Sequence, residues 1–161
     1  MASVWVINAA PLIFLGKIGH LELPSRLGFG LIVPEGAAWE VQQGPEWDPA
    51  RQWVQGPARR LIHKVGAIAP TIAAWDLGLG ESQVLQLCLG EPEREAVLDD
   101  RAARDCATSL GLPFRGTIAV LTLAKQEGLV AAVRPLIDEL VAKGFRIAKP
   151  ILDRALELAG E

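Results

Sequence analysis

The chain has 161 residues, half of them hydrophobic and 22% charged, with a formal net charge of 16 − 19 = −3. That is enough apolar material for the core of one ordinary domain, and it excludes a disordered chain. The slightly acidic balance excludes a protein that coats nucleic acid by bulk charge, but not one that holds cations among acids and touches a few phosphates locally.

The elements follow in chain order. Met1 to Gly16 is apolar and uncharged. It lacks the basic start of a signal peptide, and Asn8 and Pro11 interrupt it, so a buried strand and then a helix are expected. Val4 to Ile7 is the first strand, and a helix from about Leu12 to Ile18 stops at Gly19. Phe29 to Val33 is a second continuous apolar run, as expected of a parallel strand buried on both faces. Glu35 to Gln43 reads as a helix. Asp48-Pro49 resembles a helix start, with Trp47 and Trp53 nearby. Leu61 to Ala69 is expected as a third strand and Pro70 to Gly80 as a loop. Glu81 to Leu89 is a helix.

Ala96 to Leu98 is a strand running into Asp99-Asp100, followed by a helix from Arg101 to Leu110 that ends at Gly111. Leu112 to Phe114 is a short strand. Thr117 is placed to N-cap a helix through about Glu127. Val130 to Lys143 is a helix stopped by Gly144, and a last helix follows Pro150. Alternating strands and helices imply βαβ units around a parallel sheet, in one domain spanning 1–161. No stretch reaches the roughly 18 apolar residues of a membrane span. Cys88 and Cys106 lack any zinc-site spacing and suit reduced core thiols in a cytoplasmic protein.

Ligands of open parallel sheets bind outside the carboxyl ends of the strands. The polar residues there are Asn8 after the first strand and Asp99-Asp100 after the fourth. Glu40 and Glu81 stand on helices that follow neighbouring segments. Carboxylates gathered from separate segments are how a protein holds Mg²⁺ or Mn²⁺ for phosphodiester hydrolysis, where the metal activates water and offsets charge on the leaving oxygen. Each residue also has a plain structural role. Asp99, Asp100 and Asn8 can cap helices, Glu81 suits a helix N-terminus, and Glu40 can be a solvated glutamate. Lys17, Arg101 and Arg115 are near candidate strand ends, and Thr117 opens a helix that could order the site or accept a phosphate.

At these residues the sequence resembles PIN-domain proteins, in particular a prokaryotic subgroup. The likeness rests on Val6-Ile7-Asn8-Ala9-Ala10-Pro11-Leu12-Ile13 with Leu15 to Gly19, Ile32-Val33-Pro34-Glu35 with Trp39-Glu40-Val41, and Leu77-Gly78-Leu79-Gly80-Glu81-Ser82. It continues in Leu98 to Arg104, Gly111-Leu112-Pro113 through Gly116-Thr117, and Gly144 to Ile147. The resemblance implies a three-layer α/β/α sandwich around a parallel sheet of four or five strands. It also implies a Mg²⁺- or Mn²⁺-dependent ribonuclease whose acids fall on Glu40, Glu81 and Asp100 or Asp99, with Asp100 slightly favoured. The first-strand acid of the family falls on Asn8, which offers a carbonyl oxygen but no charge and so binds metal less strongly.

The reading that follows is an endoribonuclease acting on RNA, by analogy the toxin of a toxin–antitoxin pair with an antitoxin-like protein partner. The rival reading is a catalytically weakened nucleic-acid-binding or protein-interaction module. The region of Trp47 and Trp53 suggests a surface buried in a homodimer.

Overall fold

The computed structural model describes residues 4–28 and 30–161. Met1 to Ser3, and Phe29 where the second strand is expected to open, lie outside the described residues. Five strands form the sheet: β1 (Val4–Ile7), β2 (Gly30–Pro34), β3 (Ile62–His63), β4 (Arg94–Val97) and β5 (Phe114–Arg115). All pair in parallel, in the order β3-β2-β1-β4-β5. Register runs through Val6↔Ile32, Ile7↔Val97, Val33↔Ile62 and Val97↔Arg115.

The central strands are apolar on both sides because helices cover both faces, so side chains alternate between two cores. Trp5, Ile7, Leu31, Val33 and Val97 face one core. There they meet α1 (Ala9–Lys17), α3 (Glu35–Gln42), α4 (Pro49–Gln55), α8 (Thr117–Gln126), α9 (Arg134–Ala142) and α10 (Lys149–Ala159). Val6, Ile32, Ala96 and Leu98 face the other, formed with α5 (Pro70–Ala73), α6 (Leu79–Cys88) and α7 (Arg101–Ser109). The result is a three-layer α/β/α sandwich. Cys88 and Cys106 are free and buried in the second core, and burial pushes the Cys88 thiol up to about 12.

Several elements differ from the sequence expectation. β3 keeps two residues of the expected nine-residue run because it is an edge strand, and because the Val65 N–H donates to Glu35 Oε1 (3.1 Å) rather than to a strand. Pro70 opens the short helix α5 where a loop is expected, and α2 (Leu23–Leu27) is unanticipated. α9 begins at Arg134 rather than Val130, with Pro135 in its first turn. β5 lies one residue beyond Pro113, whose carbonyl still accepts from the Ala96 N–H at 3.0 Å. Among the described residues no helix is long and apolar enough to cross a membrane.

Candidate active site

The strand order places β2 on one side of β1 and β4 on the other. The connections therefore diverge at the carboxyl ends of β1 and β4, the position where open parallel sheets bind ligands. An open groove of about 930 Å³ begins there, with Glu81, Asp99 and Asp100 among its walls.

Asn8 extends β1 by one bond, its N–H donating to the Val97 carbonyl at 3.0 Å. It occupies the N-cap position of α1, yet its side chain caps nothing. The side chain is buried instead, and Oδ1 has no hydrogen-bond partner among the described residues. An acceptor left in that condition costs about 1–3 kcal/mol. Oδ1 points at the start of α6: a Cβ on Gly80 would stand 2.6 Å from it, so only glycine lets that helix pass so close. The same turn of α6 carries Glu81.

The paired aspartates do different work. Asp100 N-caps α7, its Oδ2 accepting from the Ala103 N–H at 2.9 Å. Asp99 reaches across to α8, where Oδ1 accepts from the Thr117 N–H (2.8 Å) and Oδ2 from the Thr117 hydroxyl (2.6 Å). Thr117 is therefore not the N-cap expected from sequence. Gly116 holds that position, and Thr117 is the first helical residue, its hydroxyl spent on Asp99. Gly116 must also be bare, since a Cβ there would lie 2.8 Å from Asp99 Oδ1. Burial raises the Asp99 carboxyl, while the two Thr117 bonds and then the charge of Arg104 pull it down.

Glu40 lies on the exposed side of α3, and α3 packs against α6 with Gln83 Oε1 accepting from the Gly36 N–H at 2.6 Å. Its carboxyl is raised by partial burial and then by the charge of Glu81, so the two glutamates are close enough to repel. Arg101 stands on the groove wall at the start of α7. Lys17 is at the far end of α1, about 13 Å along the helix from Asn8, with Nζ over the Phe14 ring at 5.2 Å. Arg115 is committed to Glu95 by two bonds of 2.7 and 3.2 Å and lies over Trp5.

The structure thus lines one groove with Glu81, Asp99, Asp100 and Arg101, leaves Glu40 off its walls on α3, which packs against α6, buries Asn8 against the start of α6, and leaves Lys17 apart. Sequence reasoning passed over Arg104, which lines the same groove and is three residues from Arg101 on one helix face.

A family model described as PIN domain matches residues 4–161, nearly the whole chain. The chain belongs to the PIN domain family. No curated protein matches it. PIN domains are of nuclease type, and they generally act on nucleic acids with divalent metals. In this PIN domain the donors are hard oxygens, the crowding of Glu40 and Glu81 is a repulsion a dication would relieve, and the orphaned Asn8 oxygen is an acceptor in want of a partner. The donor set therefore fits such an ion in kind. As the side chains stand, no three Asp, Glu, His or Cys groups among the described residues are close enough together to hold one.

Proposed function

We propose that this PIN domain, acting as one domain over its whole length, is a Mg²⁺- or Mn²⁺-dependent endoribonuclease. The observation that carries the reading is that Glu81 and Asp99 line one groove at the β1–β4 divergence while Glu40 is near enough to Glu81 for its charge to be felt. Glu40, Glu81 and Asp99 or Asp100 would have to draw together around the ion, because among the described residues they do not stand as a ready cluster, with the Asn8 carbonyl as a weaker neutral donor. A bound dication supplies charge neutralisation at a scissile phosphodiester and makes water a better nucleophile. The chain's own part is positional. Thr117 fixes both oxygens of Asp99, Asp100 anchors α7 by capping it, and Gly80 and Gly116 leave room for the Asn8 and Asp99 side-chain oxygens.

The test is RNA cleavage with Mn²⁺ by the wild-type chain and by Glu81→Gln. The expected result is cleavage by the first and little or none by the second. Equal degradation by both proteins means the site is assigned to the wrong residues.

Asn8 in place of a charged ligand, with no ready-made three-acid cluster among the described residues, favours a second reading: a nucleic-acid-binding or protein-interaction module whose metal site is weak. Trp39 and Trp47, 64% and 71% exposed, give such a surface apolar anchors for a second copy or an antitoxin-like partner. Calorimetric titration separates the two, since absence of Mn²⁺ binding at millimolar metal selects the module.

A further inference from the structure

The arginines around the groove are not equivalent. Arg115 is neutralised by Glu95, and Arg154 donates to Glu157 at 3.0 Å. Arg104, among the described residues, has no hydrogen bond or ion pair from its guanidinium. It is nevertheless not loose. Its guanidinium carbon lies over the Phe114 ring, 5.2 Å from the centroid, a cation–π contact that leaves the N–H fork unspent. Phe114 belongs to β5, and the next residues are Arg115, Gly116 and the Thr117 that grips Asp99. One short segment therefore seats both the arginine and the acid.

A guanidinium with free donors on the same groove as the Asp99 carboxylate is suited to one kind of ligand group. Acids alone would repel a polyanion. A planar fork held nearby donates to two phosphate oxygens and keeps the chain of phosphates against the groove. We propose that Arg104, seated on Phe114, is the residue that grips a backbone phosphate of single-stranded RNA next to Asp99, with Arg101 on the same helix face as an exposed second contact. This rests on the nuclease reading above and names the group that would bring the substrate to its acids.

The test is binding of a fluorescently labelled single-stranded RNA, followed by anisotropy in EDTA over a range of salt concentrations. Arg104→Met is expected to weaken binding about tenfold and to reduce the slope of log affinity against log salt by about 0.7. Arg104→Lys keeps the charge and loses the fork, so the slope is retained while affinity falls about threefold. Phe114→Leu removes the platform and falls between wild type and Arg104→Met. Arg60→Met, at the opposite edge of the sheet, removes the same charge and changes affinity less than about twofold. If wild type binds RNA and Arg104→Met binds it equally with the same slope, the role of Arg104 is overturned and the nuclease reading stands. If the wild-type chain binds no RNA in EDTA, the role of Arg104 is overturned, while the nuclease reading stands or falls on the Mn²⁺ cleavage assay.

Discussion

Acidic side chains meet opposite surroundings at the end of α10 and at the carboxyl edge of the sheet. Glu161 is surrounded by donors: the Val133 and Arg134 N–H groups at the start of α9 (2.7 and 3.1 Å) and Lys125 Nζ (3.0 Å). Those bonds hold its carboxyl down at about 2. At the sheet edge, burial raises Asp99, and burial and then Glu81 raise Glu40. An acid that closes a fold is matched by donors already in the chain. An acid raised by burial and by a like neighbour is held at a cost that the rest of the fold carries, and such costs gather where a ligand completes the arrangement.

The largest expected effect comes from removing the acid of the site that is held by two hydrogen bonds. Asp99→Ala leaves the Thr117 N–H and hydroxyl, both at a buried residue, without their acceptor, which costs about 2–3 kcal/mol in urea denaturation. It should also abolish the Mn²⁺-dependent rise in melting temperature that the proposed site implies. Unchanged stability would mean that the Thr117 clasp is not formed in solution.

A smaller and more discriminating change is Asn8→Asp. It places a charge where Oδ1 now lacks a partner and close to the start of α6. Without metal the variant should be less stable, by about 1–3 kcal/mol, because a buried carboxylate lacks donors there. With Mn²⁺ the loss should shrink or reverse, and calorimetry should show metal affinity raised about tenfold. A loss of equal size with and without Mn²⁺ would show that Asn8 faces no cation position, and the contrast with Glu161 would reduce to one of burial alone.

Much of this was legible in the sequence, for physical reasons that can be named. The apolar runs of β1 and β2 show burial on both faces, whereas β4 begins two residues before the expected Ala96, at the charged Arg94-Glu95, and ends at Val97 rather than Leu98; Asp48 does cap α4, accepting from Ala50 and Arg51 N–H at 2.8 and 3.2 Å. β3 and β5 are two-residue edge ladders whose length is set by neighbours, and no local pattern announces that. Thr117 looks like any helix cap until β5 brings Asp99 to it. The acids were identifiable as types at strand ends, but the closeness of Glu40 to Glu81 depends on α3 packing against α6, which the sequence does not state. Arg104 left a faint signal in its spacing from Arg101. Its distinguishing feature, the Phe114 platform, is a tertiary contact.

The smallest effect belongs to the satisfied acid. Glu161→Gln keeps the shape and loses the charge, so Val133, Arg134 and Lys125 still find an acceptor, but a weaker one. The exposure of the site lets water compensate, so melting should fall by only about 2–4 °C near neutral pH. The pH dependence carries the information. The carboxyl sits at about 2 when folded, below its ordinary 4.5, so its stabilisation is complete above 4.5 and is lost as pH falls toward 2. The gap between wild type and Glu161→Gln should therefore be flat from pH 7 to 5 and close below that. Glu40 has the opposite sign: with its folded value raised, stability is lost as pH rises through that value, and Glu81→Gln should reduce this loss by removing a like charge. If the Glu161 gap instead persisted to pH 2, the clasp would be held by packing of α10 on α8 rather than by charge, and the two ends of the molecule would differ less than their acids suggest.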